Sequence, residues 1–397
     1  MHTTFPFGFP LASAFYLTLF VVTLVLHVLF MNYVLAGTAW LAWSVVTGRV
    51  RLGSKSAEIA MKEPATCESI LADWIPTMLS GAITAGVAPL LFVQILYQRE
   101  FYTANLLLFN RWMSILPVLI VGFYSLYVLR SNWLTRRSAL VKTLTGLLPF
   151  LCVAFVAYSW TENHLLSVNS LEQWRAFYAD DKEIYFEPQI IARLAVWGLG
   201  SIATMCVWLA WQLRYRSVHQ LPADSQSMAR LPKVALFGLL ASIACGIGYN
   251  ISAPHLGAVF WGPMARWYLG LAIVGMIAQV IGWFQLLRRI PLTNEISLKP
   301  LLLTTAGLVA TVVGMSVCRE VVRLSSLGAT RLEELIPQHA EAMKVEGFWV
   351  FLLFAGVNIG LISWCFWLVK NNYVPPVDKA AKEGEEDPSH NSLLSSR

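Results

Sequence analysis

The chain has 397 residues, of which 57% are hydrophobic and only 13% charged, with a mean hydropathy of +0.59. Soluble domains carry roughly 25% charge, so a water-soluble fold is excluded. The net charge of +6 does not gather on one basic face but is dispersed over alternate loops, which speaks against nucleic-acid binding.

A helix needs about 20 apolar residues to cross a hydrocarbon core of about 30 Å. Apolar runs predict spans near 12–46, 72–97, 107–130, 139–160, 189–214, 233–253, 264–287, 299–321 and 346–370. The expected fold is an all-α integral membrane protein of about nine transmembrane helices. The opening MHTTFPFGFP has neither the positive start nor the small-residue cleavage site of a secretory signal, so the first run is expected to stay as a helix. Between the first two spans, 54–65 reads as a short interfacial helix. Ala57, Ala60 and Met61 fall on one face, and Lys55, Glu58 and Lys62 on another.

The loops assign an orientation. Basic residues cluster as Arg49, Arg51, Lys55 and Lys62, then Arg130, Arg136, Arg137 and Lys142. The pattern returns at Arg214, Arg216, Arg230 and Lys233, and at Arg288, Arg289 and Lys299. By the positive-inside rule these loops face the cytoplasm. The segment 161–187, with Glu162, Glu172, Asp180, Asp181, Glu183 and Glu187, faces outward. The N-terminus is then outside and the C-terminus cytoplasmic, which requires an odd number of crossings. Residues 1–370 form the transmembrane domain, and the polar 371–397, which cannot bury a core, is expected to be a disordered cytoplasmic tail.

Six cysteines, at 67, 152, 206, 245, 318 and 365, are scattered without a CxxC or CxxCH pattern, which argues against a disulfide scaffold, a thiolate zinc site or covalent haem. Phosphate-loop, dinucleotide and HExxH motifs are lacking as well. What remains are polar residues in or beside the membrane, which are costly there. His27 sits well inside the first span, and two readings of it stay open. Its imidazole either joins neighbouring helices by a hydrogen bond or ligates a haem iron. Charged residues gather at the outer span ends: Glu162, His164, Glu187, Arg193, Arg266, Arg319, Glu320 and Arg323. If they converge, the arginines suit haem propionates or a quinone headgroup; otherwise they snorkel against nearby glutamates. His255 shares this ambiguity, whereas His2, His219, His339 and His390 carry no signal.

Four segments resemble subunit I of cytochrome bd-type quinol oxidases. The run from His27 to Gly37, HVLFMNYVLAG, is similar to the family's haem-ligating H-F-L-F-V-P-L-T-L-G, with Phe30 and Leu35 in place and the glycine one position late. AFVAYSWTENH resembles A-N-G-W-M-Q-N at the end of the fourth span. Phe260-Trp261 followed by Arg266 is similar to F-W-S-F-R-I-M-V-G with a longer gap. The segment from Gly314 to Glu320 resembles G-W-x-x-x-E-x-G-R-Q-P-W. Order and expected topology match over nearly the whole chain.

The departures limit what this likeness implies. Tyr268 stands where the family has a haem-ligating Met, and EPQIIARLAVWGLG has no His, so the bis-liganded haem is not expected. The third span lacks the family's glutamates, and the long quinol-binding loop shrinks to a short segment around His255. Oxygen reduction is therefore not expected. The resemblance implies a multi-pass protein of the bacterial inner membrane that serves as an electron-transfer subunit of a membrane oxidoreductase. It implies one haem b on His27 and links the quinone pool to a periplasmic partner such as a cytochrome c, beside other membrane subunits. Arg266 and Arg319 are expected at propionates or quinone, with Glu320, Glu162 and His164 in proton or ligand roles. A haem-free anchor or scaffold subunit of a respiratory complex is the second class and a transporter the third.

Overall fold

The computed structural model describes residues 3–49 and 63–345, with isolated positions between 353 and 368. Five long helices come first among the spans: α1 (Leu11–Val46), α2 (Cys67–Leu96), α4 (Phe109–Arg130), α6 (Ala139–Ser167) and α8 (Pro188–Val218). The remaining three are α9 (Ser225–Ser252), α11 (Arg266–Thr293) and α12 (Leu298–Val345). Short helices α3 (Gln98–Leu107), α5 (Asn132–Thr135), α7 (Leu171–Ala179) and α10 (Pro254–Phe260) fill the connections. The eight long helices are apolar enough to cross a membrane. No strand occurs among the described residues, only an isolated bridge between Ala65 and Ala223. The described chain is thus an all-α, multi-pass membrane protein. The expected ninth span, apart from isolated positions, lies outside the described residues, as do 54–62 of the expected interfacial helix and the tail.

The helices follow the inside-out logic of a bilayer, in which bulky apolar side chains face lipid and small or polar residues join helices. On α4 the buried residues are Gly122, Ser125, Leu126 and Leu129, whereas Leu116 and Tyr124 are each 66% exposed. Helix α1 lies centrally, packed along α2, α6 and α8. Its Asn32 is one joint: the side-chain Oδ1 accepts from Trp197 Nε1 at 2.7 Å, and Nδ2 donates to Thr204 Oγ1 at 3.2 Å. Helices α11 and α12 approach so closely that a Cβ on Gly275 would stand 2.6 Å from the Gly307 carbonyl oxygen.

Local capping marks the start of α2. Thr66 opens α2 with a reciprocal cap, its Oγ1 accepting from Ser69 N at 3.2 Å while Ser69 Oγ accepts from Thr66 N at 3.0 Å. Helix α6 continues to Ser167 instead of stopping near 160, and α12 runs far past 321. Hydropathy falls where Glu162, His164, Glu320 and Arg323 begin, yet all four are buried. Glu162, Glu320 and Arg323 find partners inside the bundle, so the helices continue past the fall in hydropathy. At Gly328 the φ of 75° interrupts α12, a conformation a residue with a Cβ rarely adopts.

The chain up to His339 forms one unit and the stretch from Ala340 onward a second. In the second, the described end of α12 carries an ion pair between Lys344 Nζ and Glu341 Oε1 at 2.8 Å.

Candidate functional site

The first half of the site is built on α1 and α2. His27 Nδ1 lies 2.9 Å from the Ala82 carbonyl oxygen. A carbonyl only accepts, so Nδ1 carries the proton and Nε2 keeps its lone pair; no hydrogen bond engages Nε2 among the described residues. The ring fits because α2 has a glycine opposite it, where a Cβ on Gly86 would stand 2.9 Å from the imidazole. An Nδ1–H held by a backbone carbonyl is the arrangement that orients a metal-ligating histidine.

The second half comes from α6, α8 and α12. His164, only 5% exposed, has a buried Nδ1 without a hydrogen-bond partner. The charges of Arg319, Arg323 and Arg193 all act on it, and Arg319 acts on His27 as well. Glu320 is a carboxylate set among these arginines: Tyr97 O–H donates to its Oε1, and its Oε2 is buried without a partner. The Arg323 guanidinium stacks 4.3 Å from the Tyr97 ring centroid, and its NH2 group donates to Ser167 Oγ at 3.4 Å. Burial first, and the Glu320 charge second, push the Tyr97 phenol well above its ordinary value, so Tyr97 stays a donor. Arg193 Nε donates to Tyr249 O–H at 3.0 Å. Arg319 forms no hydrogen bond or ion pair among the described residues, and its side chain reaches the surface.

The charges of Arg323, Arg193 and Glu320 all act on Arg319. Burying charge is tolerated when it is matched; of the three arginines, Arg323 is buried, whereas Arg319 reaches the surface and Arg193 is half-buried. His27 Nε2 is a nitrogen donor without a hydrogen-bond partner among the described residues, and arginine forks are suited to carboxylates. The orphaned His164 Nδ1 adds a further polar group on the same side.

The sequence-derived candidates divide. His27, His164, Arg319 and Glu320 converge, together with Arg193 and Arg323. Glu162 is set apart, with Oε2 2.8 Å from Arg111 Nε and Oε1 accepting from Tyr185 N at 2.7 Å. The Arg111 contact is close but lacks aligned hydrogen-bond geometry, so it acts as an ion pair. Arg266 is exposed, its guanidinium 5.3 Å from the ring of neighbouring Trp267, and no interaction among the described residues joins it to the cluster. His255 is exposed at the start of α10.

Sequence reasoning missed Tyr97, which closes α2 and looks like an interfacial aromatic. It also passed over His339, which is 5% exposed. Its Nε2 donates to the Leu96 carbonyl at 3.0 Å and its Nδ1 accepts from Ser13 O–H at 2.8 Å. A signal existed in the return of Leu324, Leu327, Leu332 and Leu335 every three to five residues, which marks a helix continuing with one buried face. Glu100 and Arg331 form a further buried pair at 2.8 Å. Compared with known proteins, the chain matches no family model, no curated protein and no solved structure.

Proposed function

We propose that the chain is an electron-transfer subunit of a bacterial inner-membrane oxidoreductase, similar in plan to subunit I of bd-type quinol oxidases. It would hold one haem b and pass electrons between the quinone pool and a periplasmic partner of the cytochrome c kind, beside other membrane subunits and without reducing oxygen itself. The observation that carries this reading is the surplus of arginine charge around His164 and Arg319, next to a histidine whose Nε2 is free. His27 would ligate the iron, with Ala82 and Gly86 fixing its ring. Arg319, Arg323 and Arg193 would bind the propionates, or a quinone headgroup as the second occupant. Bound haem supplies one-electron exchange through its iron. Glu320, hydrogen-bonded by Tyr97, keeps one free oxygen in the buried cluster and would serve there in a proton or ligand role. Arg266 lies outside this arrangement.

The test is a reduced-minus-oxidised visible spectrum of the purified protein with a pyridine haemochrome assay, on the wild type and on His27→Ala. A b-type signal that vanishes in the variant is expected. A colourless, well-folded wild type from haem-sufficient cells would overturn the reading and leave a haem-free anchor subunit as its replacement.

A further inference from the structure

Apart from the His27 cluster, a cleft of about 570 Å³ opens between α3, α7 and the α12 segment after Gly328. It lies where spans end: α6 finishes at Ser167, and Ser170 caps α7 three residues later. Three guanidinium groups line it, those of Arg99, Arg175 and Arg331. Arg331 is committed, with its NH2 group donating to Glu100 Oε1 at 2.8 Å and NH1 to the Asn169 carbonyl at 2.9 Å, and it stacks 4.8 Å from the Trp174 ring centroid. Arg99 shares Glu100 at 3.5 Å and reaches the half-exposed Glu334 at 3.2 Å. Arg175 has no hydrogen bond or ion pair among the described residues, although it points into the same space.

The walls therefore carry one more cation than the two carboxylates in reach neutralise. Glu172, on the same turn of α7, is not among them. Two more features favour an anion. The hydroxyls of Thr103 and Ser170 line the cleft, and Leu171 beside them begins α7, whose first N–H groups have no helical acceptor. Arginine forks with hydroxyls and a helix start are the donor set that suits phosphate oxygens. Leu171 and Tyr178, also in the wall, are 56% and 78% exposed, so an apolar rim adjoins the charged floor at the end of the spans.

We propose that this cleft binds a phosphate group, carried either by the headgroup of an anionic phospholipid at the membrane surface or by soluble phosphate. Arg175 is the residue to probe, because it is exposed and holds no structural partner among the described residues. The whole chain in a neutral detergent would be titrated with phosphatidylglycerol, phosphatidylcholine and inorganic phosphate, with binding followed by native mass spectrometry and melting temperature. Phosphatidylglycerol should bind more tightly than phosphatidylcholine, and Arg175→Ala should weaken that preference about tenfold, the worth of one charge-assisted hydrogen bond, with the ligand-free melting temperature unchanged. A response to phosphatidylglycerol but not inorganic phosphate assigns the lipid source; a matching response to inorganic phosphate assigns the soluble one. Equal binding of the two lipids without a phosphate response, or binding indifferent to both Arg175→Ala and the Arg99→Ala, Arg175→Ala double variant, would overturn the proposal. Should a variant fold poorly, the wild-type comparison between the two lipids decides by itself.

Discussion

His339 and His164 are each 5% exposed, yet their surroundings are opposites. Both ring nitrogens of His339 are matched by hydrogen bonds, to Ser13 and to Leu96. Nearby on the same helix Arg331 sits on Glu100. Around His164 a ring nitrogen is left without a partner and the charges of three arginines act on the imidazole. The first region is arranged as a fastening, because matched polar groups inside a bundle fix helix positions. Under the proposed function the second would be a socket, since unmatched buried polarity is costly unless a ligand completes it. The contrast teaches that burial of a histidine in this protein carries no functional meaning until its partners are counted.

Substitutions should behave differently on the two sides of that contrast. The largest effect is expected for Glu100→Ala, which leaves Arg331 without its carboxylate. Breaking such a buried pair costs about 3–5 kcal/mol, to be read from unfolding of the detergent-solubilised protein. A loss below about 1 kcal/mol would show that this pair is wetted rather than structural. Next, Ser13→Ala deprives His339 Nδ1 of its donor, and a buried acceptor left unmatched costs about 1–3 kcal/mol in the same assay. On the socket side, Arg319→Leu should shift the stability of the ligand-free protein by no more than about 0.5 kcal/mol, while haem content of the purified protein falls well below the wild-type level. Unchanged haem content in that variant would remove Arg319 from the site.

The smallest effect concerns alkaline pH. Tyr185, between α7 and α8, donates to Glu187 Oε2 at 2.9 Å, and burial foremost pushes its phenol up to about 12, above the ordinary value near 10. A folded value above the unfolded one means the contribution is complete below about pH 10 and is lost as the pH rises through 12. Melting curves of wild type and Tyr185→Phe should therefore run parallel up to pH 10, with the wild type falling faster beyond it. Parallel curves through pH 12 would show Tyr185 to be freely hydrated.

The span ends show where sequence reading gains and loses its grip. Eight apolar runs were legible because the cost of lipid contact acts on each helix separately, and 20 apolar residues announce themselves without reference to neighbours. The ends of α6 and α12 were misplaced for the converse reason. Glu162, His164, Glu320 and Arg323 lower the local hydropathy, but the partners that let them stay helical come from distant segments: Arg111 and Tyr185 for Glu162, Tyr97 for Glu320 and for the Arg323 stack. Hydropathy windows cannot contain those partners.

The same boundary divides the candidate site. Residue type and position within a span singled out His27, His164, Arg319 and Glu320, since polar groups at membrane depth stand out in a chain with only 13% charged residues. Which of them meet was decided by tertiary structure alone. Packing of α1 against α2 turned His27 onto Ala82 and left its other nitrogen free, while Arg266, equally prominent in the sequence, ended on the surface against Trp267. Composition determined that this is a helical membrane protein, because transfer from water to lipid is summed residue by residue. Pairing between helices determined where charge is matched and where it is left over, because electrostatic partners are set by distance in space and not by separation along the chain.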